Sequence, residues 1–548
     1  MTLFKSFKVK FFVLLFFSFL IFLQGVFHIP PLDRDESRFA SATKNMLETR
    51  DFIDIRLDDE PRYKKPIGIY WAQSLSNSIL GEPPFDKIWV YRIPSLIGCL
   101  FSILFIFTNI RKNFNEEVAF MSCFFLISSF LIISEIHQAK SDGLLFLCIN
   151  ICNLTLLNLV NKFKKRLNSE KNFNEILIFW CFLGFGTLIK GPIILIFVGL
   201  PMIFFSIITN TSYLFKCLHS TLGYILYVII VLPWFILITM KAGEHFWYES
   251  VINDLLRKVS SGQESHGFLP GYYSLLLFIF FWPGCIFLID LLKKSIADRK
   301  RILKKDMKVL FLFCWFLPGF FVYELIFTKL PHYVLPTYPA LSILISLYIY
   351  KNYKDSKFLK ISNIFLSLIF PISIIGAFIY AIYIYSSFDM LSIFITIFLI
   401  LLLIYTIIQF KKRKIKSSLL SVILFQTTIY LSLVFVLNPK LNSFWIAKNI
   451  NNIIDDKSFE NFSIYSSGFN EPSLIFLSGH KLKKISPESM AKESLIKKNN
   501  LFILSEEKAD IFLNHISINS DILQTHSFEG FNYSKGQFIK FKVFKNVG

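Results

Sequence analysis

Charge is scarce in this chain: Asp, Glu, Lys and Arg make up 18% of its 548 residues, against 54% hydrophobic residues, 65 of them phenylalanine. A water-soluble chain of this size needs far more polar surface, so a soluble fold is excluded. Cysteine is missing where a secreted framework would need it. The eight cysteines lie in apolar stretches or, for Cys217, in a short polar gap, and the two longest polar regions, 31–92 and 438–548, have none. No disulfide network holds those regions together. Cys148 and Cys152 share a helix face, but without His or further Cys partners they read as packing rather than a metal site. There is no internal repeat of fixed period and no low-complexity linker, only Ile- and Leu-rich stretches of the kind lipid solvation requires.

Long apolar runs dominate instead. The first, 11–32, follows Lys5, Lys8 and Lys10. It exceeds a signal peptide's apolar core and has no small-x-small cleavage site, which predicts a retained anchor with its N-terminus inside. Twelve more follow, at 93–110, 118–134, 143–160, 175–189, 192–209, 220–240, 272–291, 309–327, 333–350, 362–386, 390–410 and 418–437. If each crosses a bilayer, alternate gaps share a side. The gaps assigned inside are basic: 161–174 holds Lys162, Lys164, Lys165, Arg166 and Lys171, 292–308 holds eight Lys and Arg, 351–360 holds four, and 411–416 reads Lys-Lys-Arg-Lys-Ile-Lys. Outside, 31–92 balances 10 basic against 11 acidic residues. Much of the net charge of +20 is therefore orientation and attraction to anionic lipid, and nucleic acid is not an expected partner.

An odd number of crossings puts 438–548 outside. There, from Asn438-Pro439 onward, strand-like runs (462–465, 501–504, 537–544) alternate with helical patterns (443–454, 487–497), which predicts a small α/β domain.

The loop 31–92 opens with Asp33-Arg34-Asp35-Glu36-Ser37-Arg38. Three carboxylates at a membrane boundary repel one another unless cations sit among them, so they are a candidate site, with a solvated charge run as the alternative. Phe39, Thr43, Met46, Leu47 and Arg50 then form one helical stripe suited to a surface helix. Arg62-Tyr63-Lys64-Lys65 places cations before a second amphipathic helix containing Tyr70 and Trp71. Other outer gaps add Glu135 to Asp142, Lys190 before Gly191-Pro192, and the loop 241–271 with Arg257, Lys258 and many aromatics. Lys190 interrupts apolar sequence, a costly position unless it meets a phosphate, a carboxylate or free carbonyls. His245 and His266 with their acidic neighbours are candidate ligands for a divalent metal, but no tight ligand spacing appears, which favours solvated loop residues. Lys329 and His332 share the outer surface and could close a site, with proline-kinked packing as the alternative.

Four motifs stand in order: Asp35-Glu36-Ser37-Arg38-Phe39-Ala40; Lys64-Lys65-Pro66 through Tyr70-Trp71; Lys190-Gly191-Pro192; and Thr328-Lys329-Leu330-Pro331-His332-Tyr333-Val334-Leu335-Pro336. In them the chain resembles the polyprenyl-phosphate-dependent glycosyltransferases of the GT-C fold, close to the lipid A aminoarabinose transferases and the wider protein O-mannosyltransferase superfamily. That family reads Asp-Glu-x-Arg-Tyr-Ala, Glu-Lys-Pro-Pro-x-x-Tyr-Trp, Thr-Lys-Gly-Pro and Lys-Leu-Pro-x-Tyr-x-Leu-Pro at these places. The resemblance spans residues 15–345, with a weaker echo at Asn470-Glu471-Pro472-Ser473-Leu474.

The resemblance implies an α-helical polytopic membrane protein of about 13 helices over residues 1–437, followed by the extracytoplasmic α/β domain 438–548. It implies transfer of a sugar from an undecaprenyl-type phosphate to a cell-envelope acceptor, such as lipid A or lipopolysaccharide core, on the outer face of a bacterial inner membrane. Asp35 is then expected to take the acceptor's proton, and Asp142, matched to the family's second acidic residue and counted with it as catalytic, to orient a substrate or a cation, with a helix N-cap for the span starting at Gly143 as the alternative. Lys65, Arg257 and Lys190 are expected to hold the donor phosphate, whose developing charge needs fixed cations. Glu36, Arg38, Tyr63, Lys329, His332 and Tyr333 are expected to contact substrate. A lipid-linked sugar transporter or flippase and a non-enzymatic envelope assembly factor remain as alternatives. A transporter would place its charges at mid-membrane on broken helices rather than in outer loops.

Overall fold

In lipid an apolar segment must satisfy its own backbone, and coiling into a helix is how a single segment does so. A computed structural model describes residues 6–58, 60–164, 173–260, 267–352, 361–385, 387–412, 414–516 and 522–546. The basic residues Lys165, Arg166, Lys171 and Arg413, the stretch 353–360 and His266 lie outside them. The first helices are α1 (Phe7–His28), α2 (Asp35–Thr49), α3 (Gly68–Leu80), α4 (Ile88–Asn113), α5 (Glu116–Ile127), α6 (Phe130–Ile136), α7 (Asp142–Lys164), α8 (Phe173–Lys190) and α9 (Ile193–Thr209).

Each of the thirteen apolar runs is helical over most of its described length. Among the described residues ten helices are long and apolar enough to cross a membrane, or twelve spans if two bent pairs each count as one. The bends are at Ser128-Ser129, where α5 and α6 meet at 62°, and around Pro283, where Tyr272–Phe280 meets Gly284–Ala297 at 118°. Proline has no N–H to continue the ladder, which accounts for the second break. α9, at 17 residues, is one turn or so shorter than a typical span.

β1 (Arg56–Leu57) and β2 (Glu60–Pro61) pair in the first loop, and the sheet predicted near the C-terminus forms from β3 (Ser463–Ser467), β4 (Leu482–Lys484), β5 (Asn500–Ser505), β6 (Ile522–Asn532) and β7 (Gln537–Asn546) in the order β4-β3-β5-β7-β6. β3 runs parallel to both β4 and β5, and β7 is antiparallel to β5 and to β6. β4 and β6 had no strand signal. β4 is only three residues, and β6 is an edge strand whose Gln524, Thr525, His526 and Ser527 break the apolar alternation.

Where α1 ends, one fully buried ion pair fixes the chain. Arg92, near the start of α4, donates to both oxygens of Glu36 at 2.7 and 2.8 Å, and both side chains are 0% exposed. Its other N–H groups bond the carbonyls of Val26, Ile29 and Pro30. Glu36 in turn accepts from the backbone N–H of Leu32 and of Ala139, each at 2.8 Å. Glu36, expected at the substrate, is thus a buried structural carboxylate with every lone pair occupied. Beside it α4 and α7 approach until a Cβ on Gly98 would stand 2.3 Å from the Gly143 carbonyl, so glycine permits the contact that brings Asp142 inward.

Removing one partner of a buried ion pair strands the other, at a cost of about 3–5 kcal/mol. Arg92→Leu should therefore lower unfolding stability by about that amount, and adding Glu36→Leu should restore part of it, as read by thermal denaturation in detergent.

Candidate active site

α2 begins at Asp35 after a turn in which Arg34 takes φ 66°, a left-handed value uncommon for a residue with a side chain. The turn directs the Asp35 carboxylate into a cleft, where the side chain is 46% exposed. Arg38, one turn on, lies 3.8 Å from it. Burial among protein atoms works against its charge, but Lys140, Arg62, His332 and Arg38 outweigh that and hold the Asp35 pKa below the usual carboxylate range. Asp35 is therefore ionised at neutral pH.

Among the described residues, seven cations stand around the cleft, Arg38, Arg62, Lys64, Lys65, Lys140, Lys190 and Lys258, against the three carboxylates of Asp35, Asp142 and Asp254. Lys190, at the C-terminal end of α8, donates to Asp142 at 2.6 Å, and its ammonium lies 5.6 Å from the centre of the Tyr333 ring. His332 lies between Asp142 (3.9 Å) and Glu135 (3.8 Å), and Glu135 is paired with Lys140 at 2.9 Å. Asp254 joins two lysines, Lys65 at 2.8 Å and Lys258 at 2.6 Å. Two ammonium groups on one carboxylate leave a net positive charge facing the cleft. Burial and the neighbouring Lys258 push the Lys65 pKa down to about 8, with Asp254 pulling the other way. Lys65 reaches this position because Gly68 packs on α8 so closely that a Cβ would come within 2.8 Å of the Leu188 backbone.

The charged cleft encloses about 170 Å³. An adjoining groove of about 730 Å³ shares Lys64, Lys65, Lys190, Ile193, Asp254 and Leu255 with it, then continues over Leu232, Phe235, Ile236, Met240, Phe246 and Val251. One end of the combined space is ionic and the other is apolar. Such an arrangement suits an amphiphile with an anionic head.

Of the residues expected at a site, Asp35, Arg38, Lys65, Asp142, Lys190, His332 and Tyr333 line the cleft. Four do not. Glu36 is the buried partner of Arg92. Tyr63 is 4% exposed in a core cluster with Phe246, and its hydroxyl donates to Asp54 at 2.8 Å. Lys329 is 1% exposed and turns its ammonium onto the Ile326 carbonyl, leaving Thr328 and Leu330 to line the space. Arg257 is exposed, and Lys258 faces the cleft in its place. Lys258 stands four residues after Asp254 and so shares its face of the helix, beyond the π-helix Tyr248–Leu256. Arg62, one of the cations before the second amphipathic helix, also lines the cleft, and Lys140, Asp254 and Tyr323 join it without a role expected from the sequence. Asp254 and Lys258 are spaced i, i+4, which is the one signal that could have singled them out.

Among the described residues no three His, Cys, Asp or Glu side chains gather as a metal site. His245 instead packs its ring on Tyr63 at 5.7 Å, and the carboxylates beside His332 already face Lys140 and Lys190.

Residues 64–237 match the family model of dolichyl-phosphate-mannose-protein mannosyltransferases. An uncharacterized protein of Aquifex aeolicus is 26% identical over 371 residues, 67% of this chain and 80% of that one. An undecaprenyl phosphate-α-4-amino-4-deoxy-L-arabinose arabinosyl transferase of Proteus mirabilis is 25% identical over 57% of this chain, and the match takes in 54% of that relative's length. Among solved structures, ArnT from Cupriavidus metallidurans, crystallised with undecaprenyl phosphate, superposes with a TM-score of 0.73 at 16% identity over 98% of both chains. An Archaeoglobus fulgidus oligosaccharyltransferase gives 0.52 at 9% identity, covering 87% of this chain and 64% of that one. The fold is that of a multi-pass membrane glycosyltransferase of the GT-C class. Within that class the chain is similar in sequence to the aminoarabinose transferases and, over residues 64–237, to the protein mannosyltransferases.

The lysine pair makes its own prediction. Lys65 should titrate near 8 when its reductive methylation is followed against pH by mass spectrometry. Lys258→Ala removes a repelling charge and should raise that value, Asp254→Asn should lower it, and Arg257→Ala should move it less than either.

Proposed function

We propose that this protein transfers a sugar from a polyprenyl phosphate to a cell-envelope acceptor, such as lipid A or lipopolysaccharide core, at the outer face of a bacterial inner membrane. The observation that carries this reading is the junction of the ionic cleft and the apolar groove at Lys65, Lys190 and Asp254. A prenyl chain fits the groove by its lack of polar groups, and its phosphate then falls among the lysines while the sugar extends toward Asp35.

In this mechanism an acceptor hydroxyl attacks the anomeric carbon. Asp35, already ionised, takes the hydroxyl proton as the new bond forms. The bond between the anomeric carbon and the phosphate oxygen breaks, and the negative charge growing on the phosphate is met by Lys65, Lys258 and Lys190, fixed in place beforehand by Asp254 and Asp142. Arg38, Lys140 and His332 hold the far side of the cleft. The relatives named for undecaprenyl phosphate aminoarabinose transfer support the class of donor.

Asp35→Asn keeps the shape of the side chain and removes its basicity. Transfer, followed by mass spectrometry of envelope lipids, should fall by about 10² or more while binding of undecaprenyl phosphate persists. Near-normal transfer would remove Asp35 from the role of base.

Thirteen crossings, with the N-terminus inside and the sheet outside, form part of the proposal. Its support is that helix ends sort into two sets. One set holds the cleft and the sheet. The other holds Lys10 paired with Glu116 and Glu117, Arg111 over the Phe7 ring, Phe163 against Tyr213, and Lys294, Arg301 and Lys351 around one depression. The basic set belongs inside. A reporter active only outside the cytoplasm should give signal when fused after Gly548 and none after Lys416; the reverse would put Asp35 on the wrong side.

A further inference from the structure

The turn that aims Asp35 is gripped by the C-terminal sheet. At the tip of the β6–β7 hairpin, the Tyr533 hydroxyl accepts the Asp33 backbone N–H at 2.7 Å, and the Ser534 carbonyl accepts from the Arg34 guanidinium at 2.5 Å. The tip is set by its own contacts: Asn532 accepts the N–H groups of Ser534 and Lys535, and its amide donates to Glu471 at 3.2 Å. Glu471 belongs to the segment Asn470-Glu471-Pro472-Ser473-Leu474, so the hairpin and that segment form one unit. Burial pushes the Asp33 carboxyl up to about 6, with the nearby Glu471 adding to the shift and the polar groups of Ser473 and Tyr533 opposing it.

The same segment opens the helix Pro472–Ser478, which packs along α2. Phe476 is 0% exposed in a cluster with Ala40, Ile88, Tyr91 and Ala139, and Lys44 of α2 donates to the Phe476 carbonyl at 3.1 Å. The sheet domain therefore holds α2 along its side and at the turn before it. Arg34, itself held at that turn through its guanidinium, has the left-handed backbone noted above. A residue with a side chain keeps such a conformation only when its surroundings determine it.

We infer that the C-terminal domain is a clamp that sets the position of the Asp35 carboxylate, and that Tyr533 is a positioning residue for transfer. This rests on the reading of Asp35 as the base. The phenol touches neither cleft nor groove. Its effect passes through two backbone units, Asp33 and Arg34, to the first residue of α2. Loosening it changes the aim of Asp35 while leaving the lysines around Lys65 in place, because those are tied to α3, α8 and the loop 241–271 instead.

Tyr533→Phe deletes the hydroxyl and keeps the ring on Phe444 and Trp445. In the full-length protein, hydrogen exchange of the amides at 33–38 should quicken about tenfold, with exchange in α3 and binding of undecaprenyl phosphate unchanged. Transfer to envelope lipids should fall about five- to tenfold. Unchanged exchange at 33–38, wild-type transfer, or a matching loss of undecaprenyl phosphate binding would each overturn the clamp. Asp35→Asn measured alongside separates the two readings: if it transfers normally the base assignment fails, whereas if it abolishes transfer and Tyr533→Phe has no effect, only the clamp fails.

Discussion

The Glu36–Arg92 ion pair is the contact on which the rest of the site depends. Four separate parts of the chain meet in it: the end of α1, the start of α2, the start of α4 and the loop before α7. A pair with no access to water is costly to form and still more costly to break, so it fixes geometry rather than merely adding stability. It places Asp35 one residue away from a point that cannot move. Gln73 extends the same logic, with its amide on the carbonyls of Tyr91 and Ala139 and its oxygen accepting from Thr43.

The cleft obeys a different rule. Its charges are half-satisfied by one another and half-directed at the space between them. Lys190 with Asp142 and Lys140 with Glu135 are near-neutral pairs, whereas Lys65 and Lys258 divide Asp254. Excess positive charge is thus concentrated where the apolar groove opens, while the ionised Asp35 and the neighbouring Arg38 occupy the other side. A single anionic head entering from the groove would meet the lysines before it met the carboxylate. Most of these charges stand at or beside helix ends and in the loops between helices, as an enzyme working at the membrane surface requires.

Much of this was legible in the residues. Apolar runs of membrane length, basic gaps between them and the carboxylate cluster at 33–36 carried the class of fold and the location of the site. What could not be read was which member of a local cluster points inward. Glu36 and Asp35 are neighbours of the same charge, and only the partner Arg92, 56 positions on, decides which is buried. Arg257 and Lys258 are likewise adjacent cations, and the choice between them follows Asp254, the carboxylate one turn before Lys258 that enters the cleft. Tyr63 looked like a cleft residue among cations because the core cluster that takes it in, with Trp234 and Phe246, comes from a later helix. The motif at 470–474 had no assignable purpose in the sequence, since its neighbours, the 33–34 turn and the β6–β7 hairpin, lie more than 400 and about 60 positions away.

The central claim is that the groove and the ionic cleft form one site for a lipid-linked donor. An undecaprenyl phosphate carrying a photoreactive group in its first isoprene units, crosslinked to the protein and mapped by mass spectrometry, tests it directly. Labels on Phe235, Ile236, Met240 or Val251, lost on competition with unlabelled undecaprenyl phosphate, are the predicted result. A second apolar groove of about 400 Å³, lined by Leu200, Phe204, Leu317 and Phe321, has no charged side chain on its wall among the described residues. Labels confined to that groove would contradict the account.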